Sequence, residues 1–180
     1  MFNSYVIPIE YGSPPKPKIV QPPDIQQTEK KQVIGMYAEM SLAEDHTADL
    51  WRRFMPRRKE IEQPLSSDVY DIQVYPPGFR MDLFTPKTRF TKWVAIEVAG
   101  WEHLPEGMEQ LTLPGGIYAV FVHRGPAHAF PRTAQYIFGE WLPASGYELD
   151  DRPHFNLLGE DYLGLDHPDS EEKVWVPVRE

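Results

Sequence analysis

Alternation of apolar and polar positions marks out most of the chain. Residues 33–40 (VIGMYAEM), 69–75 (VYDIQVY) and 93–99 (WVAIEVA) are rich in β-branched and aromatic side chains and read as strands. Between the first two, residues 46–61 carry Leu50, Trp51, Phe54 and Met55 on one helical face. Asp45 or Thr47 is placed to cap that helix, and Pro56 should end or kink it. The second half keeps the order. Residues 116–123 (GIYAVFVH) form a strand, after which Phe130, Ala134, Ile137, Phe138 and Trp141 make a helix stripe. Pro131 suits its first turn and Gly146 its stop. Residues 154–158 and 174–178 add two strands, with Pro177 favouring an edge or a bulge. Both halves therefore run strand, helix, strand, strand. Short matches support a duplicated unit: Tyr37-Ala38 with Tyr118-Ala119, 81 apart; Tyr70-Asp71 with Phe155-Asn156, 85 apart; Phe54-Met55-Pro56 with Trp141-Leu142-Pro143, 87 apart.

The start of the chain has a different character. Six of the 19 prolines fall in the first 32 residues, which excludes one helix over residues 10–32. We expect an extended Pro-rich arm over residues 1–32, with Lys16–Val20 its best short strand, and a body over residues 33–180. Its repeats cover about 33–100 and about 113–180. The arm has no room for a helix-turn-helix, so no DNA reader is expected there.

Composition narrows the function. A chain of 180 residues that is 41% hydrophobic and 13% aromatic can bury a sizeable core. Its 27 acidic against 18 basic side chains give a net charge of −9, which argues against a nucleic-acid footprint and favours a neutral or cationic ligand. Zero cysteines exclude disulfides, thiolate metal sites and a cysteine nucleophile, and fit a reducing cytoplasm. No apolar run is long enough to span a bilayer, and residues 1–12 do not read as a secretory signal, so a cytoplasmic protein without a membrane partner is expected.

Two helices cannot cover both faces of such a sheet, so both are expected on one face, with a cleft on the other. Alternation then sorts the side chains. Val94, Ile96 and Val98, with Val174, Val176 and Val178, are assigned to the helix side. Assigning Ile72 and Val74 to that side as well leaves Asp71, Gln73, Tyr75, Trp93, Glu97 and Trp175 together on the cleft side, joined by Asn156 through its match to Asp71. An aromatic box above carboxylates suits a flat or lipophilic cation, because ring faces attract positive charge. Tyr118 completes the expected ligand-binding set. Were the protein an enzyme, Glu97 beside Tyr75, Tyr118 or Tyr37 would be its acid or base.

Other chemistry finds little support. The six histidines show no tight ligand spacing and are read as solvated or capping, so no metal is expected. No Gly-rich phosphate loop or serine-hydrolase elbow is present, so no cofactor is expected either. Residues 148–151 and 166–172 are acidic but lack the spacing of a calcium loop.

The motifs Leu113-Pro-Gly-Gly-Ile-Tyr-Ala-Val-Phe, Arg124-Gly-Pro, Phe138-Gly-Glu-Trp-Leu-Pro-Ala-Ser-Gly-Tyr, Arg152-Pro-His-Phe-Asn and Val174-Trp-Val-Pro-Val occur in that order. With Met40-Ser41, Leu50-Trp51, Phe54-Met-Pro-Arg-Arg58 and Val94-Ala-Ile-Glu-Val98, they resemble the GyrI-like small-molecule-binding family over about residues 33–180. That family is related to the effector-binding domains of AraC-type and MerR-type multidrug regulators and to the wider SOUL-like superfamily. The resemblance implies an α+β fold of two βαββ units, a central cleft, and binding of a lipophilic, aromatic or cationic molecule. It also implies two alternatives: hydrolysis of a strained electrophile through Glu97, or modulation of a protein partner. Family regulators carry an acidic residue where Asn156 stands here, which moves the expected charged anchor to Glu97.

Overall fold

The computed structural model describes residues 21–180; the short strand expected at Lys16–Val20 lies outside them. Among the described residues, β1 (Asp24–Thr28), β2 (Lys31–Met40), β3 (Val69–Val74), β4 (Phe90–Glu97), β5 (Glu109–Leu113), β6 (Gly116–Arg124), β7 (Glu148–Leu149), β8 (His154–Leu158) and β9 (Glu171–Arg179) form one curved antiparallel sheet. The strand order is β1-β6-β9-β8-β3-β4-β2-β5, with β7 beside the end of β9. The α+β architecture expected from the alternation is the one observed.

The order reads as a palindrome. In each half a central strand (β3 or β8) is followed outward by β4 or β9, then β2 or β6, then a short edge strand. The edge strands are exchanged: β1 precedes β2 in the chain but pairs with β6, and β5 precedes β6 but pairs with β2. A pseudo-two-fold axis passes between β3 and β8, where Asp71 sits opposite Asn156. The registers fix the correspondence of the halves. Val33 opposite Glu97 matches Tyr118 opposite Pro177, and Tyr70 opposite Ala95 matches Phe155 opposite Trp175. Positions on β2 and β3 therefore map 85 residues on, and those on β4 map 80 residues on. The sequence match of Tyr37 with Tyr118 is four residues out of this register, and the structural partner of Tyr118 is Val33. The missed strands β1 and β5 are short and polar, and neither alternates convincingly.

Helix α1 (Thr47–Phe54) continues as a tight 3₁₀ segment, Met55–Glu60, that accommodates Pro56 at its start. The second helix runs from Phe130 to Gln135, widens into a π-helical stretch over Tyr136–Trp141, and finishes at Leu142–Ser145. Gly146 stops it in the left-handed region at φ 79°. Leu50 and Phe54 pack with Ile34, Met36, Val94 and Ile96 under the first helix, and Ile137 packs with Ala119, Phe121, Val174 and Val176 under the second. Each helix covers its own half, above β2/β4 or β6/β9. A third cluster lies on the opposite face of the sheet and is dominated by aromatic rings.

Candidate functional site

Alternation along β4, β6 and β9 brings Trp93, Glu97, Tyr118 and Trp175 to the face turned away from the helices, called the open face because no helix covers it, although its rings are buried against one another. Tyr70, Ile72 and Phe155 join them there. Phe155 and Trp175 stack at 5.2 Å and 16°, Tyr118 meets both rings at 5.4 and 5.8 Å, and Tyr70 meets Phe155 at 5.4 Å. Farther out, Tyr37 lies 4.7 Å from Trp93. Curvature presses these rings together, and each aromatic pair contributes about 0.5–1.5 kcal/mol beyond its buried area.

Glu97 marks one end of the ladder. The Tyr70 hydroxyl donates a short hydrogen bond to its Oε2, and the Lys31 ammonium lies 3.2 Å from Oε1 and 3.4 Å from Oε2. Burial first, and then the bond to Glu97, push the Tyr70 phenol far above its ordinary pKa, so it acts as a donor. Both carboxylate oxygens are engaged, and Lys31 balances the charge. Arg152 marks the other end. Its guanidinium lies 4.6 Å above the Tyr118 ring, with Nε donating to Asp150 (2.7 Å) and Nη2 to the carbonyls of Ile117 (2.7 Å) and Val178 (2.9 Å). It fills the space a side chain at Gly116 would need, since a Cβ there would fall 2.2 Å from Nη1. Gly116 also has φ 144°, so glycine is required twice over.

Asp71, Gln73, Tyr75 and Asn156 do not belong to this group, which corrects their assignment from alternation. They project to the helix side. Asp71 accepts from the Trp51 indole (3.2 Å) and the Gln73 amide (2.6 Å) and pairs with Lys92 (2.9 Å). Asn156 donates to Glu172 at 3.3 Å. The reason is the placement of the helices over the outer strands. The seam between them, above β3 and β8, is filled by these polar pairs, while aliphatic Ile72 packs on the open face. Burial, followed by repulsion from Asp71, raises Glu172 to a pKa of about 7. Tyr75 stacks on Phe79 at 4.3 Å and lines a shallow recess of about 400 Å³ with Val74, Phe90 and Thr91. Burial raises its phenol to about 12.

Two histidines read as solvated or capping are buried instead. His123 shares a 2.7 Å bond with the Thr133 hydroxyl, and His154 lies between Tyr75 and Phe138, where desolvation lowers its pKa to about 4. Sequence reasoning missed Tyr70, Phe155, Lys31 and Arg152 as parts of the open face. The available signal was the equivalence of Tyr70 with Phe155, aromatic at the same point of both repeats.

The model of the GyrI-like small-molecule-binding domain matches residues 21–179. The transcriptional regulator BrlR of Pseudomonas aeruginosa is 29% identical over 147 residues, which are 81% of this chain and 51% of that protein. The chain thus spans about half the length of this curated relative. The solved structure of SAV2435 bound to tetraphenylphosphonium superposes with a TM-score of 0.65 at 14% identity, covering 88% of this chain and 94% of that one. The EcmrR C-terminal domain gives 0.67 at 11% identity, covering 90% and 99%. At those identities the two structures speak to the fold alone. No helix among the described residues is long and apolar enough to cross a membrane. With the family model spanning nearly all of the duplicated sheet, the chain belongs to the family of GyrI-like small-molecule-binding domains.

Proposed function

We propose that the ligand is a lipophilic aromatic molecule held on the open face of the sheet, against Trp93, Tyr118, Phe155 and Trp175, with Glu97 and Tyr70 as the polar floor. The observation that carries this reading is the continuous ladder of rings, across the pseudo-two-fold axis, ending at a carboxylate. A flat ligand inserts by exchanging ring–ring contacts for ring–ligand contacts of similar energy. The rings supply most of the affinity. A cationic ligand gains Glu97 only by displacing the Lys31 ammonium. Because Lys31 and Tyr70 already hold both Glu97 oxygens, the arrangement favours binding over acid–base turnover.

Titration of intrinsic tryptophan fluorescence with tetraphenylphosphonium and with neutral anthracene derivatives tests the reading. Trp93→Ala is expected to weaken binding by about tenfold or more, as loss of a buried aromatic contact requires. Equal affinity in wild type and variant would overturn it.

A further inference from the structure

The two ends of the ring ladder are related by the pseudo-two-fold axis but are not chemically equal. In the first repeat, Lys31 reaches Glu97 across the β2/β4 pair. The corresponding positions in the second repeat are Gly116 and Pro177. The Arg152 guanidinium occupies the space above Gly116, so a cation is presented at the same point of both repeats. Pro177 stands where Glu97 stands in the first, and the carboxylate that pairs with Arg152 comes instead from Asp150, through Nε alone. Two buried donors are left over beside Tyr118: Arg152 Nη1 and Trp175 Nε1 have no hydrogen-bond partner. Trp175 is only 9% exposed. The Arg152 guanidinium lies 4.6 Å over the Tyr118 ring and Trp175 meets the same ring edge-on at 5.8 Å, so both residues that carry an orphan donor touch Tyr118.

An unsatisfied buried donor is destabilising, and more so when charged, so two around one tyrosine call for an acceptor from outside the chain. We infer that the Tyr118 end of the cleft is a subsite for an anionic or strongly accepting oxygen of the ligand, a carboxylate above all. The inference deepens the function proposed above and rests on it: the ligand is an aromatic acid, its rings on the ladder and its carboxylate at Arg152 and Trp175.

Isothermal titration of the full chain with anthracenecarboxylate, anthracenemethanol and anthracenemethylammonium tests this, since the three share one ring system and differ in the polar group. The carboxylate is expected to bind about tenfold tighter than the alcohol, and the ammonium no tighter than the alcohol, as a charge-assisted bond to a buried donor implies. Trp175→Phe keeps a ring and removes only the indole N–H, and it should lower the carboxylate-to-alcohol affinity ratio at least threefold. Arg152→Lys should lower that ratio further; should this variant fail to fold, as read by circular dichroism, Trp175→Phe decides alone. A wild-type ratio near one, or a ratio untouched by Trp175→Phe, overturns the subsite while leaving the cleft standing if the alcohol still binds. Failure of all three compounds to bind removes the subsite and the cleft together.

Discussion

The two repeats share a backbone frame, and comparing their open faces shows what divergence after duplication has changed. In the first, the cation and carboxylate are both part of the chain, and Lys31, Glu97 and Tyr70 form a closed polar group. In the second, the cation comes from a loop residue laid over a glycine, and Arg152 is held by Asp150 and two backbone carbonyls rather than by a side chain on β9. Tyr70 and Phe155 remain equivalent and link the halves through a single ring contact. The frame keeps the rings aligned, while substitutions at positions 116 and 177 turn one end from self-satisfied to donor-rich.

The largest expected effect breaks that comparison at Arg152. Replacing it by Ala strips Asp150 and two carbonyls of their donor and opens a void over Tyr118, so Arg152→Ala should cost about 3 kcal/mol in urea denaturation. Lys31→Met, at the position equivalent to Gly116, should cost less, because the Lys31 ammonium holds one carboxylate while the guanidinium holds three acceptors. Equal losses would mean that the two cations play the same structural role.

The next effect concerns the helix-side seam. Glu172 titrates in the folded state near pH 7, above the ordinary carboxylate range, because burial and then Asp71 disfavour its charge, against the opposing Lys92. A raised carboxylate contributes stability that is complete below its unfolded pKa and is lost as pH rises through about 7. Glu172→Gln should therefore flatten the decline in melting temperature as pH rises from the ordinary carboxylate range to about 7, gaining about 2 kcal/mol once that rise is complete. His154 acts in the opposite sense. Its lowered pKa contributes stability present above the ordinary histidine value and lost as pH falls through about 4. A decline of the same size over that range in Glu172→Gln would place the titrating group elsewhere.

The smallest effect sharpens the first-repeat end. With Lys31→Met, a lipophilic cation no longer competes with an internal ammonium for Glu97, and tetraphenylphosphonium should bind about tenfold tighter, about 1.4 kcal/mol. Calorimetry checks this, and unaltered affinity would separate Glu97 from the bound cation.

Much of the frame was legible in the chain. β4 and β9 alternate strongly enough to put Trp93, Glu97 and Trp175 on the side away from the helices, and the spacing of Tyr70-Asp71 to Phe155-Asn156 matches the structural register. The same reasoning failed on β3 and β8 because it equated aliphatic with helix-facing. That equation holds under a helix and fails in the seam between two, where Asp71 meets Trp51 and Lys92 while Ile72 packs on the open face. The edge strands β1 and β5 were not legible, since their pairing is exchanged between repeats and their side chains are mostly exposed. Arg152 stands within the Arg152-Pro-His-Phe-Asn motif, but its role depends on the absent side chain of Gly116, which no pattern along the chain reveals.

A crystal structure grown with anthracenecarboxylate addresses the central claim most directly. The fused rings should lie on the open face against Phe155 and Trp175, with the carboxylate within hydrogen-bonding reach of Arg152 Nη1 and Trp175 Nε1. A ligand seated instead in the recess beside Tyr75 and Phe90, or anywhere on the helix side of the sheet, would contradict the account.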